Sequence, residues 1–290
     1  MEWLLTSGEP AVRRLARRDL MGEADPPEDV LAGPWVRALL DGLPPAGNPY
    51  RKWQGAHWRL VSLVELEVPP TEPRVAAGAE SVMAWLARPH GPMLTVKGLP
   101  LAHASVEGNA VAACSRLGYA HDPRIAGLVA YLLERQWPDG GWNCDARATG
   151  KRSSFHETLI PMWGLHEYAI ATGDQDAAKA ARRAAELLLE HRLFRSTATG
   201  AVIDRRWLVP KYPPYWHYDI LHALVILGRM DLLGDHRTAD ALAELEQQRQ
   251  PDGRWAARAS WWRPGVNEVV DWGHRGPNQM ITLNALRVLP

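Results

Sequence analysis

Helical segments of two kinds alternate along this chain, and that alternation restricts the fold more than any other feature. His57 to Glu67, Ser105 to Leu117, Phe155 to Ala171, Trp216 to Gly228 and Asn278 to Leu289 are largely apolar. Between them lie amphipathic segments: Pro73 to Ala87, the segment opened by Asp122-Pro123 and running to about Gln136, Asp176 to His191, and Thr238 to Arg249. A helix apolar all round must be buried, and an amphipathic one covers it. Pro69-Pro70, Gly118 and Gly173 stop segments, and Pro73 and Pro123 start them. Pro10 to Leu20 and Pro34 to Leu40 add two short N-terminal helices, while strand patterns are nearly absent. The expectation is an all-α, two-layer ring or solenoid of helical hairpins. It forms one domain over residues 1–290, with 1–30 as an N-terminal helical cap.

Composition narrows the function. With 46% hydrophobic and 23% charged residues, the 290-residue chain can bury a large core. Its formal net charge is zero, which argues against a nucleic-acid partner. Cys114 and Cys144 allow at most one disulfide, Met1 to Leu5 does not read as a signal peptide, and no run of about 18 apolar residues offers a membrane span. A cytoplasmic protein is expected, with its oligomeric state open. Trp occurs 14 times and Phe twice, so tryptophan either anchors helix turns or walls a cavity.

Aligned on their buried Leu or Ile, the apolar segments place His57, His156 and His217 at one register, each nine residues before its anchor, with Gly108 and Asn278 leading the other two. Helix N-termini carry unpaired N–H groups and a partial positive field, which suits an anionic or electron-rich ligand.

Gly127-x-x-x-Tyr131-Leu132-Leu133-x-x-Gln136-x-x-x-Gly140-x-Trp142 and Gln250-x-x-Gly253-x-Trp255 resemble the Gln-Trp motif of squalene-hopene-type cyclases. The helical alternation extends this resemblance to the terpenoid-cyclase and protein-prenyltransferase superfamily over most of the chain. It implies an α/α toroid with about five inner and five outer helices around a central cavity. In that family the Gln braces a helix end and the Trp stacks on it. The protonating Asp-x-Asp-Asp motif is absent; Trp216-His217-Tyr218-Asp219 is the nearest segment, and only Asp219 matches the motif's end. Family prenyltransferases bind zinc through Asp, Cys and His at successive inner-helix mouths. Pro214-Tyr215-Trp216-His217-Tyr218 is similar to the segment bearing the zinc histidine, and Cys144-Asp145 lies just before the preceding mouth. His217, His156, Glu157 and Cys144 have acceptable ligand chemistry, but no tight ligand motif joins them.

The acid/base candidates are therefore Asp219, oriented by His156 or His217, with Glu157 as second carboxylate. Substrate-binding candidates on the same rim are His57, Trp58, Glu107, Asn109, Arg152, Trp216, Tyr218, Asp271, Trp272 and Asn278. Arg147, Lys151 and Arg152 suit a diphosphate or carboxylate, or form a solvated loop. No P-loop, dinucleotide fingerprint or Gly-x-Ser-x-Gly elbow appears. The leading expectation is a terpenoid-cyclase-like enzyme without nucleotide cofactor or metal, acting on a small or medium, largely apolar molecule, such as an isoprenoid, in the central cavity. A non-catalytic helical-repeat scaffold for a peptide or protein, and a zinc-dependent prenyltransferase-like transferase or lyase, are the alternatives.

Overall fold

A computed structural model describes residues 1–88, 91–147 and 152–289. Twelve α-helices carry nearly half of the described residues: α1 (Glu2–Leu5), α2 (Pro10–Met21), α3 (Pro34–Leu40), α4 (Ala56–Glu65), α5 (Pro73–Leu86), α6 (Ala104–Arg116), α7 (Pro123–Arg135), α8 (Phe155–Thr172), α9 (Gln175–Glu190), α10 (Ile220–Arg229), α11 (Ala239–Glu246) and α12 (Gln279–Val288). Two antiparallel pairs of two-residue strands, 95–96 with 99–100 and 256–257 with 276–277, are the only strands described. The protein is all-α, and no described helix is long and apolar enough to cross a membrane.

The apolar helices pack in succession: α4 on α6, α6 on α8, α8 on α10, α10 on α12 and α12 on α2. The amphipathic helices cover them, α5 on α4, α7 on α6, α9 on α8 and α11 on α10, with α5 touching α7 and α7 touching α9. Segment 1–30 is joined to the last helix, since Ser7 Oγ donates to Gln279 Oε1 at 2.9 Å and Arg287 pairs with Asp19 at 2.5 Å.

Two tryptophans fix equivalent turns. Trp142 donates its indole N–H to Leu132 O and its backbone N–H to Thr158 Oγ1; Trp255 does the same to Leu245 O and Thr282 Oγ1. Both threonines are the fourth residue of the next apolar helix. Gln136 Nε2 donates to Gly140 O and Ala180 O, bracing the end of α7 against α9.

The closest helix contact is α6 on α8. A Cβ on Gly108 would stand 2.6 Å from Pro161 N, and one on Gly164 would stand 2.5 Å from Gly108 O. Only glycine allows the two backbones this close. Pro161 lacks an N–H and so releases the Glu157 carbonyl inside α8. α10 starts at Ile220 rather than Trp216: Tyr215 has φ +52° and Asp219 is extended, which turns the chain before the helix begins. His217 thus lies outside the helix, whereas His57 and His156 are the second residues of theirs.

Candidate functional site at the mouths of α6 and α8

Tyr212-Pro213-Pro214-Tyr215 lies among α4, α8, α10 and α12 and leaves a cavity of about 30 Å³ there. Such a volume holds about one water molecule, not a substrate. Three bonds hold the segment: Tyr215 OH donates to Glu268, Asn109 Nδ2 to Tyr215 O at 3.4 Å, and Trp262 Nε1 to Tyr212 O at 2.9 Å. Tyr215 also stacks on Trp53 at 4.6 Å.

The residues expected on one rim fall into three groups. In the first, His156 Nδ1 accepts the Tyr218 N–H at 2.8 Å, and its ring stands 5.6 Å from Trp216. His217 is sandwiched between Trp216 at 3.9 Å and Trp261 at 3.6 Å. Burial, then the neighbouring His156 and lysines, pushes its pKa down to about 3, so the ring is neutral. Tyr218 OH donates to Leu193 O. Asp219 is buried and caps α10: Oδ1 accepts the His222 N–H and Oδ2 the Lys211 N–H. Burial raises its pKa to about 6, against Lys211 and the backbone donors. Both of its oxygens and the Nδ1 of His156 are thus engaged with the backbone.

The second group is Trp272 and Asn278, with Asp271 exposed beside them. Asn278 caps α12, accepting the Ile281 N–H and donating to Trp272 O and Gly273 O. Every polar atom of its side chain is engaged.

The third group gathers on α4, α6 and α8. Glu157 Oε2 accepts the Ser105 N–H at 2.8 Å, so α8 caps α6 in trans, where His103 at the N-cap makes no side-chain bond. Glu107, 7% exposed, has Oε2 without a hydrogen-bond partner. Burial pushes its carboxyl up to about 7; Glu157 adds to the shift and Arg135 opposes it. Tyr50 is also pushed up, by burial and then by Glu157 and Glu107. Its ring lies 6.1 Å from His57, a buried residue with neither ring nitrogen paired and a pKa lowered by burial to about 3. Trp58 is core, donating to Tyr50 O at 2.9 Å.

Beside this group a groove of about 1090 Å³ opens at the start of α8. Phe155, Leu187, Ile203 and Trp207 supply its apolar lining; its polar lining mixes Arg147, Arg152, His156 and Cys144 with the acidic Asp139, Asp145 and Glu190. Arg147 is paired with Asp145 at 2.7 Å, while Arg152 makes no ion pair among the described residues. Lys151 lies outside the described residues.

The zinc set implied by the resemblance does not converge. His217 is held between indoles, with Nδ1 facing Pro214 O at 3.3 Å. Among the described residues, Cys144 and Glu157 are grouped with His103 instead, their ligand atoms all within 4.8 Å of one another. Sequence reading passed over His103 and Tyr50. His103 stands 41 residues before Cys144, outside any ligand spacing motif, and only its place before the first turn of α6 marks it. No protein-family model matches the chain, and no curated protein does.

Proposed function

We propose that the protein is an α/α-toroid enzyme of the terpenoid-cyclase and prenyltransferase type. Its substrate is a small or medium, largely apolar molecule with an anionic or electron-rich end, bound in the groove at the mouth of α8. The succession of apolar helices from α4 to α12 and on to α2, covered by amphipathic ones, supports the toroid. The observation carrying the site is the groove itself. Its volume is slightly above the usual upper end for substrate pockets, about 1,000 Å³, Trp207 and Phe155 stack at 4.5 Å on its lining, and Arg152 is unpaired among the described residues. Glu107, poised near neutrality with a free oxygen, and its neighbour Glu157 are the acid/base candidates, although neither is on the groove's own lining, which reaches them only as far as Cys144 beside Glu157. Asp219 is a helix cap in this reading.

Calorimetry with farnesol and farnesyl diphosphate tests the groove, and product analysis by mass spectrometry tests the chemistry. One ligand binds, Trp207→Ala and Arg152→Ala each weaken it at least tenfold, and Glu107→Gln loses turnover but keeps binding. Absence of binding by both ligands, or wild-type affinity in both groove variants, sinks the reading.

A non-catalytic scaffold is the second reading. The filled space around Tyr212–Tyr215 favours it. Under it, Glu107→Gln leaves every ligand-dependent property unchanged.

A further inference from the structure

We propose that His103, Cys144 and Glu157 form a binding site for a thiophilic divalent cation of the zinc type. Three different chain segments deliver these ligands. The Ala102 N–H donates to Asn143 O at 2.9 Å, which ties the residue before His103 to the residue before Cys144. Glu157 is brought to the same place by the Gly108 contact between α6 and α8 and by its bond to the Ser105 N–H. The three ligand atoms are within 4.8 Å of one another. Tetrahedral zinc with bonds of about 2.0–2.3 Å sets its ligand atoms roughly 3.5 Å apart, so the cluster closes by about 1 Å on binding. His103 is exposed and free to make that movement, whereas Glu157 is buried and fixed.

Thiolate, imidazole and carboxylate together select zinc, cobalt or a similar ion over magnesium or calcium. Two anionic ligands and a neutral imidazole neutralise the dication. Without metal, burial and then Glu157 push the Cys144 thiol up to about 12, so the group carries its proton. Metal binding releases that proton to solvent and replaces the thiol–carboxylate contact with two metal bonds. Three protein ligands leave a fourth position open, the arrangement of catalytic rather than structural zinc. Cys144 also lines the groove, so an exogenous ligand has a route to that position. Arg147 and Asp145 line the same groove but are paired with each other.

Metal binding here is independent of which reaction the groove carries, and its test needs no substrate. The full-length chain is loaded with Co²⁺, freed of excess ion and examined for a thiolate-to-cobalt charge-transfer band. His103→Ala, Cys144→Ser and wild type are compared, with circular dichroism verifying that each is folded. Because His103 is exposed, its removal leaves the helices intact, and Cys114 is buried elsewhere in the core. The expected result is about one equivalent of Co²⁺ with the band in wild type, and loss of both in each variant. No band in wild type, or a band and stoichiometry retained in either variant, overturns the site.

Discussion

At the C-terminal ends of the apolar helices the charges are paired between elements, whereas at the N-terminal ends several buried polar atoms have no partner. Arg287 of α12 pairs with Asp19 of α2, and Arg18 with Asp19 and Glu67. Arg116 of α6 meets Glu67 at 3.8 Å and Glu167 of α8 at 3.2 Å. Arg229 of α10 meets Glu167 at 3.1 Å and Glu65 of α4 at 2.8 Å. One continuous network thus joins all six helices, with arginines placed where the helix dipole favours cations. Burial alone would raise Glu65 and Glu167, but Arg229 and Arg116 hold both below the ordinary glutamate range. At the opposite end, His57, Glu107 and Asn109 each keep a buried atom without a partner. The contrast is one of degree, since Arg116 Nε and Ser115 Oγ at the paired end are also buried without a partner, but the ionised carboxylates there all face arginines whereas Glu107 does not.

The pH dependence separates the two ends by sign. Glu65 and Glu167 have lowered folded pKa values, so their contribution is present above about 4.5, the ordinary glutamate value, and is lost as pH falls below it. Glu107 has a raised one, so its contribution is complete below about 4.5 and is lost as pH rises through about 7.

The largest effect is expected in the ion-pair network. Glu167→Gln leaves Arg116 and Arg229 each short of a carboxylate and lowers the urea unfolding free energy by about 2–3 kcal/mol, less than for a fully buried pair because 12% of the side chain is exposed. An unchanged midpoint would reduce the network to surface decoration. Gly108→Ala follows at about 1–2 kcal/mol, since its methyl forces apart the backbones of α6 and α8. It also withdraws Glu157 from the Ser105 N–H, so ligand or metal binding at the mouth falls with stability. Retained binding in a destabilised Gly108→Ala would separate the mouth from the helix contact.

The helical elements were readable because period and punctuation agreed: Pro73 starts α5, Asp122-Pro123 starts α7 and Gly173 ends α8, as expected. The Gln136 and Trp142 brace was legible for the same reason, being local and repeated at Trp255. Two-residue strands and 3-10 turns carry too few residues to leave a pattern. The candidate site was half legible. Glu107, Glu157, Arg152 and the mouths of α6 and α8 followed from helix starts. What fills the space among α4, α8, α10 and α12 did not, because the Tyr212–Tyr215 backbone path depends on Glu268 and Trp262, about 50 residues away. Asp219 is a lone carboxylate before an apolar helix. The same position describes an N-cap, and sequence alone does not separate the two.

The proposal that the N-terminal mouths serve function rather than stability is tested most directly by unfolding Glu107→Gln and wild type in urea from pH 5 to pH 8.5. The difference between the curves isolates Glu107 from the histidines that titrate in the same range. Glu107→Gln should match wild type near pH 5 and exceed it by about 2–3 kcal/mol at pH 8.5, the share falling between those pH values of the roughly 3.4 kcal/mol for moving a carboxyl from 4.5 to about 7. A variant less stable than wild type across the whole range would make Glu107 a structural residue and contradict the account.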